Sequence, residues 1–306
     1  MSLETSPALN AVARLHEATE RVPGQSLYLL VDPVTWSEEE HARWSGRPVE
    51  WAAVPVRHPD VEPDQTPRLL QLAPGTASAD DLLLKESVSL SLDEVLRPAE
   101  AGRKARSYCA WIASSVSKQA LANAIAGACW QHIEERRRLV RIWDPRLLSS
   151  WADVCRQEEM ALDAAPSEWF FFDWSGDLIR LHASGNRGHV MAWHEQRLVQ
   201  LGAFNRLMQL LIPRQKAPAR ALGAEVWRTL ALVGQLNLLH EDDRFRVARD
   251  CLLHGNAIRH SSRFADLLAT AREHPGSYGV MTSEMDSADW REMVREGASA
   301  LRSHNP

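Results

Sequence analysis

Cysteine is scarce in this chain, and the few cysteines present are far apart. The 306 residues include only Cys109, Cys129, Cys155 and Cys251. None belongs to a Cys-x-x-Cys pair, and their wide spacing matches no common zinc module. The sequence therefore does not describe a small disulfide-stabilised scaffold or a zinc-folded domain. We expect buried free thiols in a protein of a reducing compartment.

Long apolar runs are also missing. The longest ones are far shorter than the roughly 20 residues that cross a bilayer as a helix. The first stretch, Met1 to Arg21, is polar and contains acidic residues, unlike a secretory signal peptide. We therefore expect a cytoplasmic protein without a membrane partner.

The common catalytic and cofactor-binding motifs are absent as well. The sequence has no GxGxxG after a strand, no Walker loop, no HExxH, no GxSxG and no EF-hand loop. We expect no cofactor. Positive charge is not in excess, because 35 basic residues face 40 acidic ones and give a formal net charge of -5. A dedicated nucleic-acid-binding protein is usually basic, so we do not expect a nucleic-acid partner.

Tryptophan, by contrast, is abundant. The chain has 12 tryptophans and only three tyrosines, and aromatic residues are enriched at protein interfaces. Several tryptophans stand among polar residues, and we expect Trp36, Trp44 and Trp51 to take part in partner binding. Together with the missing catalytic motifs, this composition predicts a protein-binding protein and not an enzyme.

One group of residues supports an enzymatic alternative. Asp173, Asp177, His182 and His189 lie around a predicted hairpin, and carboxylates and imidazoles can bind a metal ion or act as acid and base. Such a site would make the protein a hydrolase or a metal-dependent enzyme. The spacing matches no known ligand pattern, however, and hairpin turns favour aspartate and glycine for conformational reasons alone. The conformational explanation is the favoured one.

A second alternative is a nucleic-acid-binding regulator that uses the basic stretch from Arg136 to Arg141. Arg136, Arg137 and Arg138 directly follow Glu134 and Glu135. We expect this segment at the end of a helix and favour a solvated, partly paired surface over phosphate binding.

The order of apolar segments predicts an α/β (α+β) N-terminal lobe and an all-helical C-terminal lobe. Residues 106–162 alternate strand, helix, strand and helix, which predicts a βαβ unit and hence a small parallel or mixed sheet. A hairpin follows near Trp169 to Leu181, and only helical patterns come after it. The predicted organisation is a lobe over residues 1–165, a hairpin joint over 166–190 and a helical lobe over 191–306.

The stretch from Arg138 to Trp151 is the most informative part of the chain. Leu139 to Trp143 alternate as in a short strand. Asp144 has the side chain of a helix N-cap, and Pro145 suits the first helical position. Arg146 follows in the first turn, where the helix dipole disfavours a positive charge. We therefore expect a carboxylate, either Asp144 or one from elsewhere, to hold Arg146.

This stretch resembles the signature of the type VI secretion effector adaptors, also called effector chaperones. Their pattern is an arginine and an aromatic residue before Asp-Pro-Arg, followed by apolar helix residues. The matching residues here are Arg141, Trp143, Asp144, Pro145, Arg146, Leu147 and Leu148. The order of the surrounding parts is also similar, since a tyrosine-containing strand that ends in aspartate matches Tyr28 to Asp32. The aromatic residue before aspartate is more usually Phe or Tyr than Trp.

The resemblance implies a non-enzymatic cytoplasmic adaptor. Such a protein binds a toxin effector and loads it onto the secretion spike, the VgrG protein or its tip. It also implies that Asp144 and Arg146 are structural residues that hold the joint between strand and helix.

Overall fold

The computed structural model describes residues 6–21, 24–59, 61–73, 78–96, 106–133, 136–158, 165–183, 195–212 and 219–303. The chain divides into two compact units, Met1–Gln196 and Arg197–Pro306.

The first unit contains a six-stranded sheet and a separate two-stranded sheet. The large sheet has the order β2-β3-β1-β4-β7-β8, and β5 and β6 form the small one. The strands are β1 (Ser26–Val31), β2 (Trp51–Ala53), β3 (Arg68–Leu72), β4 (Tyr108–Ser114), β5 (Trp130–Ile133), β6 (Arg136–Leu139), β7 (Ser167–Phe172) and β8 (Leu178–Ala183). Each pair of neighbouring strands is antiparallel.

The predicted parallel or mixed sheet is therefore wrong, and so is the βαβ unit. Helix α4 (Lys118–Ala128) does follow β4, but it leads into β5 and β6, which pair only with each other. The next strand of the large sheet is β7, which runs antiparallel to β4. The basic segment consequently lies in this small sheet and not at a helix end. Local periodicity identifies a strand but does not reveal its partner, and that caused the error.

The predicted strand from Leu139 to Trp143 is also displaced. Strand β6 ends at Leu139, and the chain then turns, with the N–H of Ile142 donating to Val140 O and that of Asp144 to Arg141 O. Ile142 and Trp143 are both buried in this turn. The alternation from Leu139 to Trp143 that predicted a strand reflects this burial and not strand pairing.

Helices cover both faces of the large sheet. The helices of the first unit are α1 (Pro7–Glu20), α2 (Glu38–Ser45), α3 (Ala79–Leu96), α4 and α5 (Pro145–Glu158). Helices α1 and α3 share one apolar cluster with Leu27, Leu29 and Val31 of β1. Tyr28 and Leu30 point to the opposite face, because side chains alternate along a strand, and they are buried too. Helices α4 and α5 contact the sheet at β2–β3 and β7–β8. Strand β1 is thus buried on both faces, which is typical of an unbroken apolar run such as Leu27 to Val31.

The described part of the second unit is helical, as predicted. Its elements are α6 (Glu195–Leu211), α7 (Ala219–Gly234), α8 (Glu241–His254), a 3-10 turn (Asn256–His260), α9 (Ser262–Glu273), α10 (Tyr278–Ser283) and α11 (Ser287–Ser303). The short helix α10 was not predicted. Asp243 stabilises its start, since its carboxylate accepts the N–H groups of Gly276 and Tyr278 at 2.6 and 3.2 Å.

Candidate functional site

The residues of the Asp-Pro-Arg signature form a joint at the start of α5, defined here as Arg141–Arg146. Asp144 Oδ1 accepts the N–H of Arg146 at 2.9 Å, as expected of an N-cap. The same carboxylate accepts side-chain bonds from Arg146, with Nε donating to Oδ1 at 2.8 Å and to Oδ2 at 3.2 Å and Nη2 donating to Oδ2 at 2.5 Å. Both side chains are about 15% exposed. The prediction that a carboxylate holds the charge of Arg146 is confirmed, and of the two alternatives left open by the sequence the carboxylate is that of Asp144.

Asp32, at the end of β1, connects the joint to the sheet. Its Oδ2 accepts hydrogen bonds from Arg141 Nη2 and, at 2.9 Å, from Trp143 Nε1. Its Oδ1 accepts the N–H of Val34 at 3.2 Å. The Asp32 side chain is only 2% exposed, whereas that of Arg141 is 45% exposed. Two segments that are 109 residues apart in the sequence are thus joined by one buried carboxylate.

Burial shifts the pKa values of titratable groups in and around this joint. Arg106 donates from Nη1 to Phe172 O at 2.6 Å, and burial lowers its pKa to about 10 although the nearby charge of Asp144 acts in the opposite direction. Burial raises the pKa of Asp144, but the hydrogen bonds and charge of Arg146 outweigh it, so that the pKa lies below 3.8. Desolvation holds the pKa of the buried Cys109 thiol well above its usual value, so this thiol is no ready nucleophile. The arrangement is suited to a rigid structural joint.

Trp36, Trp44 and Trp51 come together in one tryptophan cluster. Their ring centroids lie 5.4 to 6.2 Å apart. Trp44 Nε1 donates to the hydroxyl of buried Tyr108 at 3.1 Å, and Trp36 and Trp44 are 9% and 2% exposed. These two rings therefore belong to the core of the first unit, whereas Trp51 is half-buried at the edge strand β2. Partner binding through this cluster stays a prediction, and Trp51 is its most accessible member.

The hairpin residues form a turn. Asp173 is buried, and its Oδ1 accepts the N–H groups of Ser175 and Asp177 at 2.8 and 3.1 Å. This is the conformational role expected of an aspartate at a hairpin tip. His182 is exposed on β8, and His189 lies outside the described residues. In the part of the chain that the structure describes, no three histidine, cysteine or acidic side chains are grouped to hold a metal ion.

Arg136, Arg137 and Arg138 are exposed on β6, and we call β5 and β6 together the arginine ribbon. Arg137 lies over the Trp130 ring with 4.6 Å between its Cζ and the ring centroid. His58 stacks on the same ring at 5.7 Å. The sequence identified the basic segment, but it did not identify the aromatic support.

Sequence reasoning did not pair Asp32 with Arg141 and Trp143. The available signal was an aspartate directly after a strand of continuous apolar residues, where a carboxylate needs a partner if the strand end is buried. Nothing local to Asp32 indicated that the partners are Arg141 and Trp143.

The fold and the joint define a mixed α/β unit with an antiparallel sheet, followed by a helical unit. No family model, curated protein or solved structure matches this chain. Among the described helices, none combines the length and apolarity needed to cross a membrane.

Proposed function

We propose that this protein is a non-enzymatic cytoplasmic adaptor that binds a type VI secretion toxin effector and loads it onto the VgrG spike. The proposal starts from the resemblance of Arg141–Arg146 to the signature of the effector adaptors. The structure adds one observation that supports it. The two stretches that match the family pattern separately, Tyr28–Asp32 and Arg141–Arg146, meet through the bonds of Arg141 and Trp143 to Asp32.

This contact matters because a chance match of Asp-Pro-Arg would not require a second matched stretch at its side. Asp144 and Arg146 pair with each other, and Asp32 bonds to Arg141 and Trp143. These residues are engaged in holding the fold, and we expect the partner to bind other surfaces. That is the division expected of an adaptor, in which a rigid scaffold presents a separate interface.

The test is purification of the tagged full-length chain from its own cells under conditions in which type VI secretion is active, with mass spectrometry of the co-eluting proteins. We expect VgrG or a large toxin at near-stoichiometric amount. The captured toxin is then co-expressed with the adaptor and analysed by size-exclusion chromatography. Deletion of the adaptor gene should remove that toxin from the secreted material and leave the secretion of the spike intact.

A matched pair of variants tests the tryptophan cluster. Trp51→Ala should weaken the complex at least tenfold if Trp51 contributes to the interface. Trp174→Ala changes another half-buried tryptophan of the same unit and should leave the affinity unchanged. Recovery of the chain without spike or toxin, together with normal toxin secretion in the deletion strain, would refute the adaptor function.

A further inference from the structure

In the part of the chain that the structure describes, the arginine ribbon presents a strand edge with no neighbouring strand. Strands β5 and β6 form an antiparallel pair in which Gln131 lies opposite Arg138 and Ile133 opposite Arg136. Neither strand is bonded to a third strand within the described residues. An exposed edge of this kind is a template on which another extended segment can pair.

The backbone direction along β6 follows from one hydrogen bond. Val140 N–H donates to Cys129 O at 2.7 Å, so its peptide group faces the β5 side. Peptide groups alternate in direction along an antiparallel strand. The N–H and C=O groups of Arg138 and Arg136 therefore face β5, and those of Arg137 and Leu139 face the free edge.

The side chains make this edge basic. Arg136 and Arg138 lie on one face of β6 and Arg137 lies on the other, because side chains alternate along a strand; all three are exposed. Arg137 is already placed over Trp130, which is itself stacked on His58. A side chain held in this way loses less conformational entropy when it binds a further group.

The surrounding charge favours an acidic protein segment over a nucleic acid. Residues 1–196 contain 28 acidic side chains and 20 lysines and arginines, so the ribbon is a local basic feature of an acidic unit. Nucleic-acid binding relies on neutralising many phosphates, and a long polyanion would be repelled by the rest of the unit. A short acidic segment can reach the arginines alone, and carboxylates accept paired hydrogen bonds from guanidinium groups.

We propose that the free edge of β6 binds an extended acidic segment of a partner protein as an added strand, with a carboxylate on Arg136. The main chain of the segment bonds to the outward peptide groups of Arg137 and Leu139, a recognised mode of peptide binding. This inference goes beyond the adaptor function and does not depend on it, since it is derived from the ribbon alone.

The test uses the full-length chain and a fluorescein-labelled ten-residue peptide of alternating Glu and Val, measured by fluorescence anisotropy. We expect saturable binding that weakens with salt. The variant R136Q/R137Q/R138Q should weaken binding at least tenfold. The control R291Q/R295Q/R302Q removes three exposed arginines of α11, makes the same change in net charge and should bind as the parent does.

Two further probes separate strand addition from charge attraction. A Glu-Val peptide that is N-methylated on one edge has the same charges but cannot pair through that edge, and it should bind at least tenfold more weakly than the parent peptide. A 12-nucleotide single-stranded DNA should also bind more weakly than the peptide.

Equal binding of the methylated peptide, tighter binding of the DNA, or an equal loss in both arginine variants would overturn the proposal. Concentration-dependent self-association abolished by R136Q/R137Q/R138Q would identify a second copy of the chain as the occupant and would overturn it too. The capture of toxin or spike described above can succeed or fail independently of these results.

Discussion

Two groups of arginines lie within one stretch of eleven residues and differ in their bonding partners. Arg136, Arg137 and Arg138 are exposed on an edge strand. Arg141 and Arg146 are bonded to the carboxylates of Asp32 and Asp144. The side-chain chemistry is the same, so the difference comes from whether the fold brings a buried carboxylate within reach. The comparison shows that one group is bonded to carboxylates that hold the fold, whereas the other lies exposed on a strand of the small sheet.

The largest expected effect comes from Arg146→Ala. This change leaves the mostly buried Asp144 carboxylate without its guanidinium, and we expect a loss of about 3 kcal/mol in the free energy of unfolding. Urea denaturation followed by circular dichroism measures it. Arg138→Ala serves as the exposed control and should change the stability by less than about 0.5 kcal/mol. Equal stabilities of the two variants would show that the two groups of arginines do not differ.

Asp32→Ala should have the next largest effect, roughly 2 to 3 kcal/mol, because the indole N–H of Trp143 loses its acceptor in a buried position. Arg141 can turn to solvent and adds little to the loss. A double-mutant cycle with Trp143→Phe measures the coupling between the two side chains by urea denaturation. We expect a coupling of about 1 kcal/mol, and strict additivity would mean that the hydrogen bond does not contribute.

Acid should weaken the joint. The folded pKa of Asp144 lies below its unfolded value of about 3.8. Its ionised form therefore stabilises the fold above that pH, and this contribution is lost as the pH falls through the folded pKa. The stability difference between the parent and Asp144→Asn should be constant from pH 7 to about pH 5 and should shrink toward pH 3. Urea denaturation across that range measures it, and a difference that grew on acidification would contradict the assignment.

The smallest expected effect belongs to R136Q/R137Q/R138Q. Because these side chains are exposed, we expect less than about 1 kcal/mol of change in stability for the triple substitution. Thermal denaturation and circular dichroism provide the measurement. A large loss would mean that the ribbon is structural, and it would turn the peptide-binding assay into a measure of folding.

Local sequence predicted the parts of the site that form within a few residues. Asp144 directly precedes Pro145 and the apolar helix positions, so an N-cap followed from helix geometry wherever the helix packs, and Asp144 was one of the two carboxylate sources predicted for Arg146. The hairpin of β7 and β8 was predicted correctly as well, since its turn residues Ser175 to Asp177 join two apolar runs. The tryptophans illustrate the opposite case, because their polar neighbours suggested exposure although Trp36 and Trp44 pack into the core.

The sequence by itself determined the apolar strand β1, the N-cap at Asp144 and the helical character of the second unit, because periodicity and capping act over a few residues. Only the tertiary structure decided that the sheet is antiparallel, that Asp32 bonds to Arg141 and Trp143, and that β5 and β6 pair with no third strand among the described residues. Strand pairing and contacts across 109 residues depend on which surfaces are buried together. That burial is a property of the whole unit, and no short window of sequence contains it.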